Sequence, residues 1–124
     1  MNREILFRGK RVDSSEWFEG SYWLSRSAVR ETTYITDGYG NLFCVIPETV
    51  GQYTGLNDKN NVKIFEGDII KHKENLFEIK YSTEQARYLA VLTNGVFDPV
   101  AMQNCEVVGN VFDNSELLKG EENE

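Results

Sequence analysis

Apolar residues in this chain fall in short runs, and where they alternate with polar ones the period is two. Successive strand side chains point to opposite faces, so this pattern predicts strands rather than helices. Ile5-Leu6-Phe7-Arg8 reads as a first strand, and Asp13-Ser14-Ser15 as a turn whose side chains bond nearby amides. Glu16 to Ser25 reads as a second strand. Phe18, Gly20, Tyr22 and Leu24 lie on one of its faces, and Trp17, Glu19, Ser21 and Trp23 on the other. Phe18 and Tyr22 are expected to face inward. Glu31 to Thr36 is rich in strand formers. Asp37-Gly38-Tyr39-Gly40-Asn41 turns the chain into Leu42 to Ile46, and Pro47 ends that strand because it cannot donate to a ladder.

The second half continues in the same manner. Gly51 to Lys71 combines turn formers with a buried-looking strand: Asn57 to Asn61 forms a tight turn, Glu66-Gly67-Asp68 forms a second, and Ile69-Ile70 lies in a strand that pairs with Leu76 to Tyr81. Ser82 to Ala86 is assigned a helical turn. Arg87 to Thr93 is apolar, and Asn94-Gly95 is the strongest hairpin signal in the chain, leading back through Val96-Phe97. Asp98-Pro99 breaks that run and Glu106 to Phe112 is the last strand. Asn114 or Ser115 caps a short helix through Leu117 and Leu118.

These elements predict a mostly β, β-rich α+β fold. Five short strands between residues 67 and 112 suggest a small SH3-like barrel within residues 51–118. Residues 1–50 would form a β-ribbon or sheet packed on it, and the chain would close with a short C-terminal helical turn. A meander sheet with a short helix is the alternative. Residues 1–118 are read as one domain, and residues 119–124 as a polar, acidic tail.

Composition narrows the functional classes. The chain has 124 residues, 40% hydrophobic and 27% charged, which suits one soluble domain. No apolar run approaches the ~18 residues that span a bilayer, and the start lacks a secretory pattern. A cytoplasmic location is expected, with Cys44 and Cys105 as reduced thiols. The net charge of −7 is uneven, because residues 1–30 carry +2 and residues 31–124 carry −9. Such a surface disfavours nucleic acid.

Chemical signatures are sparse. His72, the one histidine, sits between Lys71 and Lys73 and reads as solvated. The two cysteines lack CxxC spacing, so no metal or cofactor is expected. A calcium loop begun at Asp58 would need an oxygen ligand at 62, Gly at 63 and Glu at 69, where the chain has Val62, Lys63 and Ile69. No phosphate loop or nucleophile elbow occurs. Asp58, Glu66 and Asp68 could form a carboxylate site only if they converged on a cleft. As turn residues, they would instead bond backbone amides.

Three blocks resemble the YopX family of phage and prophage proteins. The first is Arg3 to Arg11 followed by Trp17-x-x-Gly20-x-Tyr22. The second is Gln52-Tyr53-Thr54-Gly55-Leu56-x-Asp58-Lys59-Asn60 with Ile64-Phe65-Glu66-Gly67-Asp68-Ile69. The third is Glu106 to Asn114 followed by Glu116-Leu117-Leu118. The resemblance implies a phage or prophage origin and a β-rich fold, and it implies no activity. It also implies Gly after Asp58-Lys59-Asn60, where this chain has Asn61, the next-best residue for a left-handed backbone.

The first functional expectation is a non-catalytic module that binds a protein partner or itself. Its candidate contacts are Trp17, Tyr22 and Trp23, with Tyr53, Asn57, Asp58 and Lys59 in the loop taken to lie beside them. Large aromatics bury much area for few rotors lost. The second is a nucleic-acid accessory protein using Arg8, Lys10 and Arg11 with the aromatics. The third is a small carboxylate enzyme built on Asp58, Glu66 and Asp68.

Overall fold

A computed structural model describes residues 4–92, 95–99 and 104–118. The chain is mostly β and divides into two compact units, Met1–Tyr53 and Thr54–Glu124.

In the first unit β1 (Phe7–Lys10), β2 (Trp17–Arg26), β3 (Glu31–Thr36) and β4 (Leu42–Cys44) pair antiparallel in chain order. The start of β5 (Gly51–Asn57) pairs with the other edge of β1. Side chains shape the turns between them. Ser27 Oγ accepts the N–H groups of Val29 and Arg30 at 3.3 and 3.1 Å. Asp37 Oδ1 accepts those of Tyr39 and Asn41 at 2.8 and 3.3 Å. The strands also curl back on themselves. Ile46 N–H donates to the Lys10 carbonyl at 2.8 Å, Val12 N–H donates to the Cys44 carbonyl at 3.1 Å, and Arg11 bridges Val45. Gly9 permits this return, since a Cβ there would sit 2.9 Å from the Val45 side chain. Ile35, Val45 and Thr33 are buried, and Phe18 stacks on Phe43 with ring centroids 3.9 Å apart.

In the second unit the end of β5 lies beside β6 (Lys63–Phe65). The strands β7 (Asp68–His72), β8 (Asn75–Ser82), β9 (Arg87–Leu92), β10 (Gly95–Phe97) and β11 (Glu106–Asn110) form an antiparallel sheet in the order β10-β9-β8-β7-β11. Register places Phe77 opposite Ile70 and Ile79 opposite Ala90. These four form the core with Ile64 and Cys105, flanked by Leu56, Tyr88, Leu92 and Val107.

The five strands expected between residues 67 and 112 are all present, but the described strands form no closed barrel. β10 and β11 stand at opposite ends of the order, and three-residue β10 is too short for the staggered pairing that closure needs. Residues 83–86 form the turn that joins Ser82 to Arg87, with Ala86 at φ 54°. Asn94 lies outside the described residues; β9 and β10 do pair as a hairpin, but Gly95 stands in β10 opposite Leu92 rather than in the turn, one residue off the register that an Asn94-Gly95 turn would set. The last strand stops at Asn110, two residues early, because Asn110 Oδ1 accepts the N–H groups of Phe112 and Asp113 at 3.0 and 2.9 Å. Asn114 starts the helical residues 116–118 with its carbonyl, which accepts Leu117 N–H at 3.0 Å. Its side chain turns the other way and accepts Asn110 N–H at 3.1 Å. The tail, residues 119–124, lies outside the described residues.

Gly20 is a sharp test of the first unit. A Cβ there would collide with the backbone carbonyl oxygen of Thr36, and a backbone atom yields only if the β2–β3 ladder shifts. Gly20→Ala should destabilise the protein by about 1–3 kcal/mol in urea unfolding, within the range for overpacking. An unchanged midpoint would mean that the two strands do not approach as described.

Candidate functional site

Two of the three carboxylates singled out in the sequence, Asp58 and Asp68, accept backbone amides. Asp58 follows β5 and is buried. Its Oδ1 accepts the N–H groups of Asn60 and Val62 at 2.8 and 2.9 Å, and its Oδ2 accepts Val107 N–H, on β11, at 2.9 Å. Burial opposes the charge. The amides of Val107, Val62 and Asn60 outweigh it with help from Lys59, and they hold the carboxyl below the usual aspartate range. Asp68 is 1% exposed, and its Oδ2 accepts Phe65 N–H at 2.7 Å across the Glu66–Gly67 turn. Glu66 is half-buried in that turn. Asp58 and Asp68 shape bends, as the turn reading of the sequence expects.

Among the described residues no group of three or more His, Cys, Asp or Glu side chains is placed to hold a metal. Cys44 and Cys105 are free thiols. Burial pushes the Cys105 thiol up, and the nearby Asp58 charge adds to it. His72 is half-buried at the end of β7 rather than solvated, with Nδ1 shielded and without a hydrogen-bond partner among the described residues.

Aromatics offer the more open chemistry. Cross-strand register puts Trp23, Tyr34 and Cys44 in one row on one face of the first unit's sheet. The Trp23 and Tyr34 rings are 5.9 Å apart, and Trp23 is 50% exposed. Leu42, also exposed, lies on the same face opposite Thr36. Trp17 shares that face but is half-buried, with the Arg8 guanidinium 4.8 Å from its ring centroid. Tyr22 lies on the opposite face, beside Phe7 at 5.8 Å. It shares Phe18's side, as period two requires, yet it is exposed rather than inward.

The basic cluster is largely engaged. Arg8 covers Trp17, and Arg11 pairs with Asp13 at 2.6 Å and lies over the Phe18 ring. Lys10 donates its backbone N–H to Thr49 Oγ1 at 2.9 Å. Of the remaining candidates, Tyr53 is buried and its side chain is withdrawn from any contact surface. The same holds for Asp58. Asn57 is exposed and donates from Nδ2 to Asn61 Oδ1 at 2.8 Å, and Lys59 faces Glu106 at 3.9 Å. Trp17, Tyr22 and Trp23 belong to the first unit, whereas Asn57 and Lys59 belong to the second. Sequence reasoning missed Tyr34 and Leu42, because only the β2–β3–β4 register aligns them with Trp23.

A family model for the YopX protein matches residues 6–119. The chain belongs to the YopX family. It is also similar to the crystal structure of protein EF1440 from Enterococcus faecalis, with a TM-score of 0.58 and 23% identity over 94% of this chain and 99% of that one. That likeness concerns the fold alone. No curated protein matches the chain. The YopX-like blocks now have a physical meaning. Asp58, Asp68, Asn110 and Asn114 bond backbone amides, and Asn61 stands at φ 63° where the family pattern implies Gly.

Asp58 carries a pH test. Its lowered pKa stabilises the fold above the ordinary aspartate range, and this contribution is lost as pH falls through the depressed folded value. Asp58→Asn should therefore cost about 1–3 kcal/mol near neutral pH, as expected when buried amides lose a charged acceptor. The deficit should shrink on acidification below the ordinary aspartate range. Urea unfolding of both proteins across that range measures it, and a constant difference would show that the charge plays no part.

Proposed function

We propose that this YopX-family protein is a non-catalytic interaction module, of phage or prophage origin, that acts in the cytoplasm of a bacterial host by binding a protein partner or a second copy of itself. The observation that carries this is the row of Trp23 and Tyr34 with Leu42 beside it, in a sheet whose turns are held by side chains. A half-exposed Trp on a firm strand loses little entropy when covered, which suits an interface anchor. The SH3-like barrel expected for residues 51–118 enters here only as an analogy of strand count: five short antiparallel strands around one core. Treating residues 1–118 as one functional domain belongs to the same proposal.

Trp17 is less suited to the contact than Trp23 because Arg8 covers it. Tyr22 offers an exposed ring on the opposite face. Nucleic acid is the weaker reading, since Arg8 and Arg11 already have aromatic and carboxylate partners. A carboxylate enzyme is weaker again, because Asp58 and Asp68 are taken by amides.

Trp23→Ala should leave unfolding stability within about 1 kcal/mol, as for a partly exposed side chain away from the core. It should reduce capture of a partner from host-cell extract or, if the partner is a second copy, shift the size-exclusion profile toward a smaller species. If Trp23→Ala changes neither capture nor elution, the aromatic row is not the contact surface.

A further inference from the structure

We propose a second, separate binding site in the Thr54–Glu124 unit, an anchor pocket for one apolar side chain of an extended basic peptide. A cavity of about 280 Å³ is lined by Thr54, Leu56, Arg87, Tyr88, Asp98 and Pro99. Leu56 and Tyr88 pack against the core cluster, and Pro99 is buried, so the apolar walls are held from behind. Thr54 Oγ1 donates to the Ile64 carbonyl at 2.8 Å and accepts Leu56 N–H at 3.1 Å, which fixes the β5 wall.

Size and charge select the occupant. The volume lies at or below the low end of cofactor and drug-sized pockets, and it suits one side chain better than a whole small molecule. Arg87 and Asp98 form an ion pair at 2.8 Å with both side chains substantially exposed, 42% and 51%. An exposed pair of this kind rearranges at little cost, so Asp98 can exchange Arg87 for a cation on a ligand. Residues 54–124 carry seven basic against thirteen acidic side chains, a net of −6. That field draws a cationic segment and repels an acidic one. Tyr81 extends the aromatic surface. It is 45% exposed and sits edge-on to Tyr88 at 5.1 Å, where chain flanking the anchor would lie. Grooves lined by aromatics commonly receive extended peptides in this way.

The site uses none of the residues in the Trp23 row, so the two proposals fail independently. The test is fluorescence polarisation with labelled Gly/Ser-framed peptides on the full chain. One set has a central Leu, Phe or Trp flanked by Lys, a second replaces Lys by Glu, and a third replaces the central residue by Ala. The Lys-flanked set should bind saturably, about tenfold more tightly than the Ala-centred set, and less tightly as salt rises. Asp98→Lys, at an exposed position that should still fold, should weaken binding about tenfold, and Trp23→Ala should leave it unchanged. Backbone amide NMR shifts on titration should centre on Leu56, Arg87 and Tyr88. Absence of saturable binding would overturn the proposal. So would equal binding of the Glu-flanked set, indifference to Asp98→Lys, or a concentration-dependent self-association that Asp98→Lys abolishes, because the pocket would then receive a second copy.

Discussion

The second unit is organised around one buried carboxylate. Asp58 accepts Asn60 and Val62 N–H within its own turn and Val107 N–H from a strand 49 residues further on. Beside these bonds, Lys59 N–H reaches the Cys105 carbonyl at 3.0 Å. Together they fix where β11 begins. Cys105 and Val107 then enter the same apolar cluster as Ile70 and Phe77. A buried charge is costly by itself. Here three amides that would otherwise lack acceptors offset that cost, so charge and backbone each satisfy the other. The loop closed by this contact is long, and closure entropy grows only slowly with length.

The same economy runs through the residues that mark the family. Asp68 closes the turn before β7, Asn110 ends β11, and Asn114 bonds back to Asn110. Each spends its polar atoms on a backbone bend. These residues of the YopX-like blocks therefore report the fold. The side chains proposed for recognition lie between the turns: the Trp23 row in one unit and the cavity beside Arg87 and Asp98 in the other.

Strand positions were legible wherever local pattern and tertiary pairing agree. Glu31–Thr36 is a run of strand formers and is β3 residue for residue. Asn61 could be assigned a left-handed backbone from the Gly implied at its position. β5 was not legible, because Gly51, Gly55 and Asn57 have poor strand preference, and β6 is only three residues long. Pairing with β1 on one side and β6 on the other overrides that preference in β5. The barrel was over-read for the opposite reason: strand count is local, while closure depends on the stagger and length of two edge strands. Within the candidate site, period two correctly placed Trp17 and Trp23 on one face. Their unequal exposure was hidden, because it depends on Arg8, which reaches Trp17 only after β1 pairs with β2.

That inequality bears on how the aromatic face works. Two tryptophans of one strand begin with the same chemistry, and the fold treats them differently. Trp17 gains a cationic cover worth about 0.5–2 kcal/mol, so a partner burying it would have to displace Arg8 first. Trp23 has a tyrosine at its side and water above. Covering it removes apolar area at about 25 cal/mol per Å². Trp23, Tyr34 and exposed Leu42 together form an apolar patch on one sheet face, and contiguous patches rather than single residues are what mark contacts. In the proposed contact, this energetic asymmetry makes Trp23 the anchor and Trp17, held by Arg8, a fixed rim.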